Sequence, residues 1–214
     1  MNKFKYKIFP ALTIILSFIL AYYFYPKMPD YVATHWGTDG QVNGYMDKFW
    51  GLYFMPFLSF GLYFLFTYLP ATDPYKKNFD EFKAHYYLFV DIIYMFFMYL
   101  YLLTIAWNLG YRFNMIQVLS PGFAMLFIFA GFLMGKAKQN WFVGIRTPWT
   151  MSSKAVWAKT HKLGAILYSY SGLLCLLALF IPQNALILIM FPIIGVSLFL
   201  FVYSYYLYQN LHSK

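Results

Sequence analysis

Residues 185–208 read ALILIMFPIIGVSLFLFVYSYYLY. This stretch contains 24 residues and no charged side chain. A bilayer core about 30 Å thick requires roughly 20 consecutive apolar residues in a helix that rises 1.5 Å per residue. Because backbone amides cannot remain unpaired in hydrocarbon, a helix is the economical structure for this stretch. The sequence therefore predicts a membrane-spanning helix here.

Five more apolar stretches precede this one. The six predicted spans are residues 8–25, 49–70, 85–107, 113–135, 163–181 and 185–208. The chain has 214 residues, of which 62% are hydrophobic and 25% aromatic, so no room is left for a separate soluble domain. We predict an all-α, polytopic protein of the plasma membrane. It forms a single membrane domain over residues 1–214, with a front module 1–110 and a rear module 111–214.

Basic residues are distributed unevenly between the gaps that separate the spans. Lys and Arg are retained on the cytoplasmic side of a membrane. The segments assigned to the inside hold 13 of the 16 basic residues: Lys3, Lys5, Lys7, Lys76, Lys77, Lys83, Lys136, Lys138, Arg146, Lys154, Lys159, Lys162 and Lys214. We therefore expect both termini to be cytoplasmic. The first span follows a basic start but lacks small residues at a cleavage site, so we expect a retained anchor.

The net charge of +9 is also compatible with nucleic-acid binding. No basic stretch is long enough to form an element that fills a nucleic-acid groove. In a protein with several spans, topology and contact with anionic lipid headgroups explain the charge. We expect membrane lipids as partners and no direct contact with nucleic acid.

The outer loop 26–48 reads PKMPDYVATHWGTDGQVNGYMDK. Its prolines fix backbone angles and Gly37, Gly40 and Gly44 permit turns with positive φ, which predicts an ordered loop. The candidate ligand-binding residues are His35, Trp36, Asp39 and Lys48. One interpretation is a binding site for a peptide or a metal ion, although His35 with Asp39 is a weak metal candidate because zinc needs three or four close ligands. The other is a loop folded onto the bundle, with His35 bonded to a backbone carbonyl.

The inner segment 136–162 reads KAKQNWFVGIRTPWTMSSKAVWAKTHK. Pro148 interrupts any continuous helix, and Ser152 or Ser153 can cap a following one. The simplest expectation is a short amphipathic segment on the cytoplasmic face, with indoles in the headgroup layer and lysines at lipid phosphates. The alternative is a docking surface or polar pocket formed by Asn140, Arg146, Thr147, Trp149, Trp157 and His161.

Asp91 is the one acid within the predicted spans. An ionised carboxylate in lipid costs several kcal/mol unless it is paired or protonated. Arg146, Lys162 and His161 are the partners expected from the cytoplasmic side. Either Asp91 forms a structural ion pair, or it contributes with Arg146 and His161 to a polar site in a small transporter or membrane enzyme. The spacings typical of serine or metal-dependent hydrolases and of phosphate-binding loops are missing, so we predict neither enzymatic activity nor a cofactor.

At these two polar segments the sequence resembles the immunity proteins of the SdpI type, including the small membrane domain that commonly precedes their signature. The front resemblance is carried by Tyr25, Pro26, Met28, Pro29, Thr34, His35, Trp36, Gly40, Gly44, Tyr45 and Lys48. The rear resemblance, whose spacing is more specific, is carried by Asn140, Phe142, Val143, Gly144, Ile145, Arg146, Thr147, Pro148, Trp149, Thr150, Trp157, Thr160 and His161.

The resemblance implies a protein that protects its producer from a secreted, membrane-active killing peptide. In the best-known system such a protein also captures a transcriptional repressor at the membrane. From the predicted topology, we expect the outer loop near an arriving toxin and the inner segment near a cytoplasmic repressor.

Overall fold

The computed structural model describes residues 5–212 and contains six helices that are long and apolar enough to cross a membrane. These are α1 (Lys5–Phe24), α2 (Lys48–Tyr68), α3 (Lys76–Asn108), α4 (Met115–Lys136), α6 (Lys154–Cys175) and α7 (Ala185–His212), with the short α5 (Pro148–Ser152) before α6. The prediction of a helical polytopic membrane protein is confirmed. Lys3 and Lys214, which the orientation argument counts, lie outside the described residues.

Two helices begin nine residues earlier than predicted. The third span was expected from residue 85 and the fifth from residue 163, whereas α3 starts at Lys76 and α6 at Lys154. Hydropathy marks only the part of a helix that lies in hydrocarbon, and the 33 residues of α3 are about 50 Å long. Residues 154–162 are accordingly the first turns of α6, and Ser153 caps them by accepting a hydrogen bond from the Val156 amide.

The helices pack as two groups of three. Helices α1, α2 and α3 contact one another, as do α4, α6 and α7, and α3 with α4 joins the groups. The closest approach is between α4 and α6, because a Cβ built on Gly172 would lie 2.7 Å from the carbonyl oxygen of Ala124. Small residues let two backbones meet in this way in the membrane, where packing and not hydrophobicity drives association.

The outer loop contains a β-hairpin that the sequence analysis did not predict. Strands β1 (Tyr31–Trp36) and β2 (Val42–Asp47) pair in antiparallel fashion. The expected order of this loop is therefore observed. Of its three central glycines only Gly40 has a positive φ, 77°, and a side chain there would overlap Asn114.

The hairpin and the inner segment lie at opposite ends of the bundle. The hairpin connects the end of α1 to the start of α2, and it contacts the end of α3. The inner segment connects the end of α4 to the start of α6. Since consecutive spanning helices run in opposite directions, these two ends face opposite sides of a membrane.

Candidate functional site

The hairpin forms one wall of a pocket that we call the hairpin pocket. Its volume is about 500 Å³. It is lined by His35, Trp36, Gly37, Thr38, Asp39, Asn43, Ile116 and Leu186. The last two residues belong to the first turns of α4 and α7. The pocket therefore joins the polar turn of the hairpin to the apolar ends of two helices in the rear group.

Three of the four predicted ligand-binding residues meet in this pocket. His35 is exposed, and its Nδ1 donates to Oδ1 of Asn43 and not to the backbone carbonyl that one interpretation expected. Asp39 accepts a hydrogen bond of 3.0 Å from the Gln41 amide and so shapes the turn. Lys48 lies at the other end of the hairpin, where its Nζ is 3.1 Å from Asp30 Oδ1.

The hairpin is held rigidly on the bundle. The side chain of Asn108, at the end of α3, accepts from the Ala33 amide at 2.8 Å and donates to the Ala33 carbonyl at 3.0 Å. The Trp36 ring packs edge-on against Trp107, with ring centres 5.8 Å apart. On the other side, buried Val32 fills the space above Gly51. A polar surface fixed in this way is preorganised for binding.

At the opposite end, residues 137–153 fold into a compact unit that we call the inner lobe. Its centre is Asn140, which is fully buried. The Asn140 Oδ1 accepts from the amides of Phe142 and Val143 at 2.9 and 2.7 Å. The Asn140 Nδ2 donates to the carbonyls of Lys138 and Val143 at 2.8 and 3.0 Å. One side chain thus satisfies four backbone groups in a segment without regular structure.

His161 connects the inner lobe to α6. Its Nδ1 lies 2.8 Å from the Trp157 carbonyl, and its Nε2 lies 3.1 Å from the Ile145 amide nitrogen. The carbonyl can only accept and the amide can only donate, so the ring must be neutral with its hydrogen on Nδ1. Gly144 has a φ of 104°, and a Cβ there would overlap the His161 ring. Gly144 and His161, two of the residues that carry the family resemblance, therefore pack directly against each other.

A buried hydroxyl cluster closes the inner lobe onto α7. Thr147 and Thr150 form a reciprocal cap at the start of α5. The Thr147 hydroxyl also lies 2.9 Å from the hydroxyl of Ser204 in α7. The Gln139 amide donates to the Thr150 carbonyl at 2.9 Å, which closes the lobe from the α4 side.

Most of the residues proposed as an inner docking surface are structural. Asn140, Thr147, Trp157 and His161 are buried. Trp149 packs against Phe201 and Tyr205 of α7. Only Arg146 is exposed, and it donates to the Trp141 carbonyl. Burial explains why polar side chains are mixed with aromatic ones here, since each polar group satisfies backbone atoms inside the lobe.

Asp91 has none of its expected partners. It lies about 22 Å along α3 from Lys76, farther from the helix start than a span beginning at residue 85 implies, because α3 begins earlier than predicted. Within residues 5–212, its Oδ1 is buried without a hydrogen bond, and no ion pair involves it. Both ring nitrogens of His161 and one guanidinium nitrogen of Arg146 are occupied elsewhere. In the described part of the chain, no hydrogen bond or ion pair joins these three residues.

No group of three or more His, Cys, Asp or Glu side chains that could hold a metal ion occurs among the described residues. At the hairpin, His35 contacts an amide and Asp39 contacts the turn backbone. The chemistry of this pocket is therefore hydrogen bonding and apolar contact.

Several residues that position these sites carry no local sequence signal. Asn43, Asn108 and Gln139 were not singled out, nor was Asp73, whose Oδ2 accepts from the Trp141 amide at 3.2 Å. The two partners of that bond are 68 residues apart. The hairpin itself could have been predicted from the aromatic and β-branched residues that flank its Asp-Gly turn.

Comparison with known proteins gives matches to both halves of the chain. The domain of unknown function DUF1648 matches residues 12–60, and the SdpI/YfhL protein family matches residues 136–204. The immunity protein SdpI of Bacillus subtilis (strain 168) is 24% identical over 211 residues, which cover 98% of this chain and 99% of that protein. No solved structure matches. The first range contains the hairpin, and the second contains the whole inner lobe together with α6 and much of α7. The chain is thus a multi-pass plasma-membrane protein whose rear part matches the SdpI/YfhL family and which is similar over nearly its whole length to an SdpI immunity protein.

Proposed function

We propose that this chain is an immunity protein, which protects the cell that makes it from a secreted, membrane-active peptide. Its likeness to the Bacillus subtilis immunity protein extends over nearly its whole length, including the hairpin and the inner lobe. The hairpin end faces the exterior, because most basic residues belong to the other end.

The observation that carries the proposal is the hairpin pocket. It offers exposed hydrogen-bonding side chains, His35, Asp39 and Asn43, next to the apolar Ile116 and Leu186. An amphipathic peptide presents the same combination of polar and apolar groups. The mechanism is sequestration, in which the toxin is held at the outer surface before it can perturb the bilayer.

The orientation is tested by labelling engineered cysteines in intact cells. The native Cys175 is buried, so it contributes little background. We expect Thr38→Cys in the hairpin to react with a membrane-impermeant maleimide and Ser152→Cys in α5 to react only after lysis. Labelling of both variants in intact cells would refute the arrangement.

The immunity function is tested by comparing cells with and without the gene against a panel of secreted antibacterial peptides. Cells lacking the gene should lose membrane potential at a lower concentration of at least one peptide. His35→Ala should reproduce much of that loss, whereas Gln183→Ala, at an exposed residue of the same end, should not. Equal sensitivity of both strains to every peptide would count against the function, and full protection by His35→Ala would count against the pocket.

A second proposal concerns the inner lobe, which we infer to recruit a cytoplasmic repressor. The supporting observation is Trp141, whose side chain is 51% exposed although its backbone is fixed by Asp73 and by the exposed Arg146. Trp and Arg are the residue types that most often dominate protein interfaces, and here an exposed Trp and an exposed Arg are joined through the Trp141 carbonyl.

This proposal predicts that Trp141→Ala releases the repressor from the membrane without lowering the abundance of the protein. The repressor would be identified as a small DNA-binding protein encoded beside the gene and followed by its distribution between membrane and soluble fractions. Lys159→Ala, which changes another exposed residue near the same end, is the control. An unchanged distribution in Trp141→Ala would refute this role.

A further inference from the structure

The two strands of the hairpin differ in what covers their outer edges. Val32 lies opposite Met46, and Ala33 lies opposite Tyr45. Both backbone groups of Ala33 bond to the Asn108 side chain, so they point away from β2. In an antiparallel pair, residues opposite each other either exchange both bonds or exchange none. Ala33 and Tyr45 therefore exchange none, and the N–H and C=O groups of Tyr45 point outward from β2.

The same alternation applies one step further along β2. The Lys48 amide donates to the Asp30 carbonyl at 2.9 Å, which makes Asp30 and Lys48 a bonded pair. The neighbouring pair, Tyr31 with Asp47, is then a non-bonded one. The Asp47 amide consequently points outward as well, two residues from the outward groups of Tyr45.

Within the described part of the chain, the outer edge of β2 lacks the hydrogen bonds that hold the outer edge of β1. The edge of β1 is capped by Asn108, whereas no side-chain or inter-element hydrogen bond reaches the outward backbone groups of Tyr45 or Asp47. The side chains along the edge are exposed, with Tyr45 at 60% and Met46 at 39%. An uncovered strand edge is a template for pairing with another extended chain.

We propose that the edge of β2 binds the secreted peptide as an added β-strand, an inference that rests on the proposed immunity function. A donor and an acceptor at Tyr45 followed by a donor at Asp47 match the main chain of an extended peptide, which repeats every two residues. Lipid headgroups and small ions lack that alternation. A peptide strand that pairs with β2 and continues past Gly44 reaches Asn43, which lines the hairpin pocket. The pocket then receives a side chain of the bound peptide.

The surroundings of the edge favour a peptide that arrives from the membrane surface. Exposed aromatic side chains flank it, namely Tyr31, Phe49 and Trp50. Aromatic residues of this kind lie in the headgroup layer, where a membrane-active peptide also accumulates. Backbone hydrogen bonds formed in that less polar layer are stronger than in water.

The test uses the full-length protein in nanodiscs and a synthetic peptide of alternating Thr and Val as the probe. Tyr45→Pro removes the outward N–H without removing a bond between β1 and β2, and proline is tolerated on edge strands. We expect it to weaken probe binding about tenfold, because one hydrogen bond is lost and a second is disturbed. Tyr45→Ala keeps the N–H and should weaken binding by less than about threefold.

A second measurement leaves the protein unchanged. A probe that is N-methylated at alternate residues cannot donate from one edge, and it should bind the wild-type protein about tenfold more weakly than the unmodified probe. If both probes bind the wild-type protein equally well, the proposal is wrong. This result does not depend on whether the Tyr45→Pro variant folds. Dimerisation of the wild-type protein that Tyr45→Pro abolishes would also overturn it, since the edge would then pair two copies.

The protection assay separates this inference from the proposed function. If Tyr45→Pro cells remain fully protected while cells lacking the gene are sensitive, strand addition is wrong and the immunity function stands. If cells lacking the gene are never more sensitive, the immunity function is wrong even where the probe binds in vitro.

Discussion

Asn140→Ala is the substitution whose cost can be worked most directly from the contacts. It removes two acceptor contacts, to the amides of Phe142 and Val143, and two donor contacts, to the carbonyls of Lys138 and Val143. A buried donor left without a partner costs about 1–3 kcal/mol. Phe142 and Val143 are half-buried, so water can replace part of what is lost. We therefore expect the free energy of unfolding to fall by about 2–4 kcal/mol.

The loss can be measured by titrating the purified protein with a denaturing detergent and following tryptophan fluorescence. Trp141, next to the substituted position, and Trp157, whose indole donates to the Ala137 carbonyl, report on the inner lobe. Asn184→Ala, at an exposed residue of the opposite end, should change the free energy of unfolding by less than about 0.5 kcal/mol. If Asn140→Ala and Asn184→Ala unfold alike, the four contacts do not stabilise the lobe and the reasoning fails.

Three further substitutions test other contacts. Gly144→Ala combines a positive φ with overlap of the His161 ring, so we expect the midpoint of detergent unfolding to fall clearly, with a loss of about 2–4 kcal/mol. Asn108→Ala leaves both backbone groups of Ala33 without their partner, and faster amide hydrogen exchange at that residue should report the loosened hairpin. Gly172→Leu forces α4 and α6 apart, and we expect lower yield of folded protein in size-exclusion chromatography.

Other glycines provide matched controls. Gly110 has a φ of 105°, but no atom of the described residues beyond its chain neighbours lies within 4 Å of the point that a Cβ would occupy. Gly110→Ala therefore carries the backbone strain without the overlap. Gly61 lies within a spanning helix and also has open space around it, which makes Gly61→Leu the control for Gly172→Leu. If Gly110→Ala lowers the free energy of unfolding as much as Gly144→Ala does, contact with His161 is irrelevant to the stability of the lobe.

The sequence was a reliable guide to the membrane spans, which depend on neighbours along the chain. Six spans follow from hydropathy, since crossing hydrocarbon requires only enough consecutive apolar residues in a helix. The early starts of α3 and α6 were missed for the same reason, because their first turns lie beyond the apolar stretch. Of the two residues expected to cap the helix, Ser152 and Ser153, it is Ser153 that does so, through a bond between residues three apart.

Predictions that required a distant partner were less successful. Asp91 was expected to pair with residues of the inner segment, and His161 was considered for a polar site. In the structure His161 bonds to Trp157 and Ile145, and Asp91 has no such partner among the described residues. Composition identifies a polar side chain but not the backbone atoms that it will satisfy.

The six membrane spans and the two polar segments of recognisable pattern between them follow from the order of the amino acids alone. Helix packing, in contrast, determines which edge of the hairpin is held by Asn108 and how the other segment folds into a lobe around buried Asn140. The reason is that apolar length acts along one helix, whereas the bonds of Asn108 to Ala33 join residues 75 apart in the chain. Such pairs exist only once the helices have packed.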